Sequence, residues 1–377
     1  MRLLFVANHL NVGGISSYLL TLASGLQQNG HQVYLASSGG ELEAKFVQAG
    51  ITLIKVPLKT KNETSYKILF SFLILKKVIR EFNIDLIHSQ SRTTQVLADL
   101  LSRALAKPHI FTCHGFFKPK IFRRIFGCWG QAVIAISQQV KEHLIADFKL
   151  PDSKISVVHN GIDTKNFGDF SAREKIRKDL ELQDAFLVGI IARLSDVKGH
   201  LYLIRAMRRV IETSPTARLL IIGEGKMKDA LIKEVERVGI NQQVIFVPAV
   251  KNTREMLSAM DIFVMPSLQE GLGLALMEAM AQGIPVAGSA VGGIKTLIQD
   301  KFNGLLVKPA DVSALEQAII TLLKDPALRQ SLGARGREFI IKNFSKEEMV
   351  QKTEIVYQQA VLASKNARIK VEREIKS

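Results

Sequence analysis

The sequence predicts an α/β fold with two Rossmann-like, doubly wound domains in tandem. Its 377 residues exceed what one ordinary hydrophobic core accommodates, so two domains are expected. Short apolar runs alternate with helical stretches, which is typical of parallel sheets covered on both faces. The alternation pauses near NGID at 160–163 and then starts again. Ligands bind at the carboxyl ends of strands in such sheets, so we expect the two domains to face each other across a cleft.

The predicted first domain covers residues 1–160. It begins with the apolar run LLFVA at 3–7 and the turn glycines Gly13 and Gly14, after which apolar residues recur at helical spacing from Ile15 to Leu26. Five more strand-like runs follow, separated by helical stretches: VYLAS (33–37), ITLIKV (51–56), IDLIHS (84–89), HIFTC (109–113) and AVIAIS (132–137).

The predicted second domain covers residues 161–345. Its strand-like runs are FLVGIIARL (186–194), RLLIIG (218–223), VIFVP (244–248), DIFVMPS (261–267) and IPVAGS (284–289). A capping box of Ser313 and Glu316 is expected to open the helix after Asp311. Residues 346–377 are predicted to form a C-terminal helix and basic tail, with packing back on the first domain as one option.

The composition is that of a globular protein, with 47% apolar and 23% charged residues. Cys113 and Cys128 cannot build a disulfide framework, so a reduced, cytoplasmic compartment is expected. The N-terminal apolar run is too short for a signal peptide and is predicted to be a strand. The longest apolar stretch, ILFSFLIL at 68–75, falls short of the roughly 20 residues that a membrane span needs.

The formal net charge of +16 is concentrated in the first half of the chain. Between Lys55 and Arg124 there are 14 Lys or Arg residues against four acidic ones, which favours anionic partners. The segment GFFKPKIFRRIFGCWG at 115–130 interleaves aromatic and basic side chains, as interfacial helices do. These are Phe116, Phe117, Phe122, Phe126 and Trp129 with Lys118, Lys120, Arg123 and Arg124. Together with segment 67–80 it predicts docking on an anionic membrane surface; the alternative is phenylalanines in the core and solvated cations.

Two carboxylates bracket an otherwise apolar stretch, EGLGLALMEAMAQG at 270–283. A helix is expected to start near Leu272–Gly273 and to end before Gly283. Glu270 would then lie at the helix entrance and Glu278 about a turn and a half inside, roughly 12 Å apart. That separation suits an extended nucleotide-sugar, and free amides near Gly271 suit its oxygens. The alternative is a core helix with two exposed glutamates.

A second candidate element is ARLSDVKGH at 192–200. It places Arg193 and Lys198 at a predicted strand end ahead of a helix, where two cations make a diphosphate site; two solvated loop charges are the alternative. The Gly13–Gly14 turn lacks the third glycine of a dinucleotide motif and is a weak signal. His114, in TCHG, could be a catalyst or simply a packed histidine. No metal-ligand cluster, Asp-x-Asp, GxSxG or Walker motif occurs, so no metal or cofactor is expected.

Taken together, these pieces resemble the family 4 retaining glycosyltransferases, which have the GT-B fold. The similar segments span nearly the whole chain in order: Gly13–Gly14, TCH at 112–114, IAIS at 134–137, NGID at 160–163, ARLSDVKG at 192–199, GEG at 223–225 and DIFVMPSLQEGLGLALMEAMAQGIPV at 261–286. The spacing Glu270-x7-Glu278 is the most specific of them.

The resemblance implies a role for each matching residue. Glu270 would hold hydroxyls of the donor sugar with amides around Gly271, Leu272 and Gly273, and Glu278 would hold the ribose. Arg193 and Lys198 would neutralise the departing diphosphate. Gly13 and Gly14 would let the first domain close over the phosphates and acceptor, and His114 would approach the sugar. Leu272 stands where the family usually has phenylalanine. Pro248 occupies a position near the nucleobase that is often glycine in the family, so the resemblance does not identify the base of the donor.

The function expected from these residues is that of a retaining, metal-independent hexosyltransferase. It would move a sugar from a nucleoside-diphosphate donor to a lipid-linked, lipopolysaccharide or other glycan acceptor. The enzyme itself is expected to be cytoplasmic and bound peripherally to the cytoplasmic face of the membrane. Alternatives are a sugar-nucleotide epimerase or phosphorylase of the same fold, or a non-catalytic basic protein that binds membranes or nucleic acid. Nucleic acid is not expected as a partner, because no helix-turn-helix, RNA-recognition or zinc motif is present.

Overall fold

The computed structural model describes residues 1–60, 62–119, 123 and 126–376, with side chains described up to Asn366. The chain divides into two compact units. The first comprises Met1–Gly161 together with Lys346–Ser377, and the second comprises Ile162–Ser345.

The first unit is built on a seven-stranded, all-parallel sheet with the order β3-β2-β1-β4-β5-β6-β7. Its strands are β1 (Arg2–Val6), β2 (Gln32–Ser37), β3 (Thr52–Lys55), β4 (Leu86–Ser89), β5 (His109–Cys113), β6 (Ala132–Ala135) and β7 (Ile155–Val157). Within residues 1–161, the described helices of this unit are α1 (Gly14–Gln28), α2 (Glu43–Gln48), α3 (Tyr66–Glu81), α4 (Arg92–Leu105) and α5 (Gln138–Phe148). The central strands β4 and β5 are buried at every position because helices cover both faces of the sheet.

The second unit repeats this architecture on a six-stranded parallel sheet with the order β10-β9-β8-β11-β12-β13. Its strands are β8 (Phe186–Ile191), β9 (Ala217–Ile222), β10 (Val244–Val247), β11 (Ile262–Met265), β12 (Val286–Ser289) and β13 (Leu305–Val307). Its helices are α6 (Arg173–Asp179), α7 (His200–Thr213), α8 (Lys228–Val238), α9 (Thr253–Ala259), α10 (Leu274–Gln282), α11 (Ile294–Leu297), α12 (Val312–Lys324) and α13 (Pro326–Asn343).

Each sheet reverses its winding direction once, and that point positions the candidate sites. In the first unit the reversal lies between β1 and β4, which pair from Leu3 opposite Leu86. In the second it lies between β8 and β11, where Ile262 lies opposite Val188. Connections leave the two strands toward opposite faces there, which opens a crevice at their carboxyl ends.

The C-terminal helix α14 (Lys346–Lys376) packs on α1 within the first unit. Its Val350 and Tyr357 belong to the same buried core as Tyr18 and Leu22. The Tyr357 hydroxyl also lies 2.7 Å from Nδ1 of buried His88 on β4. The last helix therefore completes the core of a domain that begins more than 300 residues earlier in the chain.

All eleven predicted strands are present, whereas β7 and β13 were not predicted. Each of these two has only three residues, too few to establish a hydrophobic period. The predicted capping box is wrong: Asp311 is the N-cap, and its carboxylate accepts a hydrogen bond from Ala314 N at 2.9 Å. Among the described helices, none has the length and apolar character needed to cross a bilayer.

Candidate functional site

The centre of the candidate site is an ion pair between the loops that follow β8 and β11. Lys198 Nζ donates a hydrogen bond to Glu270 Oε2 at 2.5 Å, and the two side chains are only 20% and 12% exposed. Ser267 Oγ lies 3.4 Å from the same carboxylate oxygen. These residues come from the two strands that flank the winding reversal, so the sheet topology brings together side chains 72 positions apart.

Backbone contacts fix the position of the loop after β11 relative to the loop after β8. Leu268 N donates to Val197 O at 2.8 Å, which ties the loop after β11 to the loop after β8. Next to Lys198, Gly199 adopts φ 73 and its Cα faces the Pro266 carbonyl so closely that a Cβ would overlap it. Glycine is required here for both reasons, and the close approach places Lys198 within reach of Glu270.

The loop from Glu270 to Gly273 leads into the first turn of α10. Gly273 caps α10 with no side-chain hydrogen bond, so the first N–H groups of the helix remain available for a ligand. Leu272 as a whole residue is only 1% exposed, so its side chain is packed inside the second unit and fixes the position of the loop backbone. Gly293 N donates to Glu270 O at 3.1 Å, and a Cβ at Gly293 would overlap Gly271 and Leu272.

Glu278 lies in the middle of α10, and its environment differs from that of Glu270. Its carboxyl group is hydrogen-bonded to the Thr253 side chain at the start of α9. Burial raises the pKa of Glu278 to about 7, although the bond to Thr253 acts in the opposite direction. With this pKa, the carboxyl group of the folded chain is partly protonated near neutral pH. Of the two alternatives from the sequence, the exposed-glutamate interpretation is wrong for both residues, because neither is exposed.

Arg193 and Lys198 lie in one loop but in different surroundings. The Arg193 side chain is exposed, whereas that of Lys198 is largely buried against Glu270. The backbone around Arg193 is held by the loop after β9, since Leu194 N donates to Glu224 O at 2.9 Å. The loop therefore offers one cation that is free to meet an incoming anion and one that must first leave its carboxylate.

In the first unit, His114 follows β5 and is held as a neutral imidazole. Its Nε2 lies 2.8 Å from Gln90 Oε1, and its ring meets the Tyr18 ring edge-on at a centroid distance of 4.7 Å. Burial lowers the pKa of His114 to about 3, so it carries no charge at neutral pH. This makes it a hydrogen-bonding group rather than a general acid.

Gly13 and Gly14 lie where the loop after β1 enters α1. Gly13 caps the helix without a side-chain hydrogen bond, and a Cβ at either glycine would meet no described atom within 4 Å. Packing therefore does not demand glycine at these positions. The open space leaves the backbone amides at the start of α1 accessible to an anionic ligand.

Sequence reasoning missed three residues that shape the site. Ser267 and Thr253 contact the two carboxylates, and Gly293 supports the loop between them. Gly293 had a usable signal, because the pair Gly292–Gly293 follows the strand-like run IPVAGS. Thr253 had none, because only the folded chain brings the start of α9 to the middle of α10.

Two family models match the chain. The model described as glycosyl transferases group 1 matches residues 172–339, and glycosyltransferase family 4 matches residues 12–166. The two matches fall almost entirely on the second and first units respectively.

The chain is also similar to named proteins along most of its length. It is 25% identical to the N-acetyl-alpha-D-glucosaminyl L-malate synthase of Bacillus anthracis, covering 95% of this chain and 97% of that protein. It is 26% identical to the UDP-Gal:alpha-D-GlcNAc-diphosphoundecaprenol alpha-1,3-galactosyltransferase of Escherichia coli, covering 80% and 82%. The crystal structure of Anabaena Alr3699/HepE in complex with UDP and glucose superposes with a TM-score of 0.84 at 22% identity, covering 95% and 99%.

Proposed function

We propose that this chain, a glycosyltransferase of the GT-B fold, moves a hexose from a nucleoside-diphosphate donor to a lipid-linked or other glycan acceptor, with retention at the anomeric carbon and without a metal ion. The observation that carries the proposal is the Lys198–Glu270 pair at the winding reversal of the second sheet. An ammonium and a carboxylate held together there provide one group for a diphosphate and one for sugar hydroxyls.

In the proposed donor complex, the ion pair separates. Lys198 turns to the diphosphate, where exposed Arg193 adds a second positive charge, and Glu270 accepts hydrogen bonds from the sugar hydroxyls. The amides of Gly271, Leu272 and Gly273 donate to oxygens of the donor. Glu278 accepts from the ribose hydroxyls. Lys198 exchanges one anionic partner for another, whereas Glu270 exchanges the ammonium for neutral hydroxyl donors, which keep its carboxylate hydrogen-bonded.

The chemical step follows from this arrangement. The bond between the anomeric carbon and the phosphate oxygen breaks, and its electron pair stays with the diphosphate, which Lys198 and Arg193 stabilise. The acceptor hydroxyl forms the new bond on the same face, and its proton passes to the departing phosphate oxygen. The diphosphate is a good leaving group once neutralised, so no general acid is needed. Gly13, Gly14 and neutral His114 would serve as hydrogen-bonding and close-approach groups.

The names of two similar proteins support the substrate classes. The Anabaena structure contains UDP and glucose, and the Escherichia coli relative is named for UDP-galactose and a diphosphoundecaprenol-linked sugar. We therefore propose a nucleoside-diphosphate hexose as donor and a lipid-linked glycan as acceptor, met at the cytoplasmic face of a membrane. The clustered positive charge between Lys55 and Arg124 supports an anionic membrane as the docking surface.

Release of nucleoside diphosphate tests the proposal. Purified protein is incubated with UDP-, GDP- and ADP-hexoses, with and without a membrane extract as acceptor source, in buffer containing EDTA. We expect one donor to release diphosphate faster when the extract is present. Donor conversion to an epimer without diphosphate release, phosphate-dependent formation of sugar phosphate, or a strict requirement for Mg²⁺ would each contradict it.

A further inference from the structure

Helix α3 exposes a large apolar surface that no described residue covers. Tyr66, Leu69, Phe70 and Leu73 are 70%, 62%, 59% and 58% exposed. They recur at helical spacing on one side, whereas the opposite side packs into the core. The buried members are Ile68, Ser71, Leu75 and Ile79. Contiguous apolar patches of this kind on soluble domains mark surfaces that contact a partner or a membrane.

The exposed side of α3 carries basic residues toward the C-terminal end of the helix. Tyr66, Phe70, Leu73, Lys77 and Arg80 follow one another at intervals of three or four residues, so they lie along one side. A shallow groove beside this end is lined by Leu73, Lys76, Lys77, Arg80 and Glu81. The helix therefore presents an apolar half and a cationic half on a single exposed face.

The segment 115–130, which the sequence favoured as the membrane contact, is engaged within the protein where it is described. The Phe117 ring packs against Phe111 at 6.2 Å, and the Arg123 guanidinium lies over Phe117 at 4.8 Å. Arg123 also pairs with Glu63 at 3.7 Å. Lys118 is exposed, whereas Lys120, Phe122 and Arg124 lie outside the described residues.

Trp129 from the same segment is also packed. Its ring meets Phe111 at 5.8 Å and Phe148 at 5.3 Å. Only Phe126 remains as a largely exposed aromatic residue among the described part of the segment, at 62%. The described aromatics thus mainly support the first unit, and α3 offers the larger free apolar surface.

We propose that the exposed face of α3 docks the enzyme on an anionic lipid bilayer. The apolar half enters the boundary between head groups and acyl chains, while Lys77 and Arg80 meet lipid phosphates. This inference rests on the proposed function, because a lipid-linked acceptor requires the enzyme to work at a membrane. A second copy of the chain fits this face poorly, since like positive charges would be brought together. Nucleic acid would leave Leu69 and Phe70 without a partner.

Cosedimentation with vesicles tests the assignment. Wild type is mixed with vesicles of equal parts phosphatidylcholine and phosphatidylglycerol, and with phosphatidylcholine alone. The variant Leu69→Glu/Leu73→Glu should weaken partition into anionic vesicles by at least about 30-fold. It loses the favourable transfer free energy of two leucine side chains, and its two new carboxylates are repelled by the anionic lipids. The matched control Leu100→Glu/Leu362→Glu changes two exposed leucines of the same unit and should partition as wild type does.

The charged half is tested separately with Lys77→Glu/Arg80→Glu. This variant should lose binding to anionic vesicles, and binding of wild type should weaken with added salt. Equal partition of the α3 variants and the Leu100/Leu362 control would overturn the assignment. A wild-type dimer that the Leu69/Leu73 variant makes monomeric, without vesicle binding by wild type, would show that a second copy covers the face instead.

The nucleotide assay separates this inference from the proposed function. All α3 variants should bind nucleoside diphosphate in solution as wild type does, because their substitutions lie outside the groups assigned to the donor. Wild type that releases diphosphate but ignores anionic vesicles would refute α3 docking alone. Vesicle binding that depends on α3 in a protein inactive toward every donor would refute the proposed function alone.

Discussion

Replacing Glu278 by glutamine should stabilise the folded protein while weakening its binding of nucleotide. Burial raises the pKa of Glu278 from its ordinary 4.5 to about 7. The folded state therefore holds a proton that the unfolded chain releases, and stability falls as pH rises from about 4.5 to about 7. At 1.36 kcal/mol per pKa unit, the ionised carboxylate costs the fold up to about 3 kcal/mol above pH 7.

Glutamine carries no charge and can keep the hydrogen bond to Thr253. We therefore expect Glu278→Gln to raise the free energy of unfolding at pH 8 by up to about 3 kcal/mol, with little change near pH 4.5. Urea unfolding at both pH values measures this difference. Glu234→Gln is a matched control of opposite sign, because the side chains of Arg237 and Arg205 hold the pKa of Glu234 down to about 2. That variant should lose stability at pH 8.

Nucleotide binding should respond in the opposite direction. Ribose hydroxyls donate to the ionised carboxylate, so the affinity of wild type for nucleoside diphosphate should rise about tenfold between pH 6 and pH 8. Glu278→Gln should bind about tenfold or more weakly at pH 8 and show no such rise, since a charge-assisted hydrogen bond is lost. Calorimetric titration measures both. A variant that is less stable than wild type at pH 8, or that binds nucleotide equally well, would refute the reasoning.

The remaining predictions concern the paired loops. Lys198→Ala and Arg193→Ala should each lower turnover by roughly 100-fold through loss of about 3 kcal/mol of leaving-group stabilisation, measured as diphosphate release in EDTA; full activity in either would remove that residue from the mechanism. Glu270→Gln should bind the bare nucleoside diphosphate at least as tightly as wild type, because Lys198 no longer has to leave an anionic partner, while transfer is suppressed; weakened binding of the diphosphate itself would contradict the assignment of Glu270 to the sugar. Gly293→Ala should displace the Glu270 loop and lower turnover without loss of the fold, as circular dichroism would check, because a Cβ there overlaps Leu272.

Local sequence patterns determined the elements and many of the site residues. The apolar runs predicted eleven strands because a strand buried in a parallel sheet needs continuous apolar side chains. The position of a charged or glycine residue just after such a run is also a local property. Arg193, Lys198 and Glu270 could therefore be assigned to strand ends before the strand order was known. The helix boundary at Gly283 followed from the left-handed conformation that glycine adopts easily, and α10 does end there with φ 88.

Contacts between distant parts of the chain were decided only by the tertiary structure. The pairing of Lys198 with Glu270 depends on β8 lying beside β11, which no local pattern specifies. The raised pKa of Glu278 depends on its burial in the folded chain, and the opposing hydrogen bond to Thr253 depends on α9 lying beside α10. The exposed face of α3 likewise could not be told from a core face, because leucine and phenylalanine at helical spacing look the same in either setting. Sequence encodes which side chains share a face, but only packing decides whether that face meets protein or remains free.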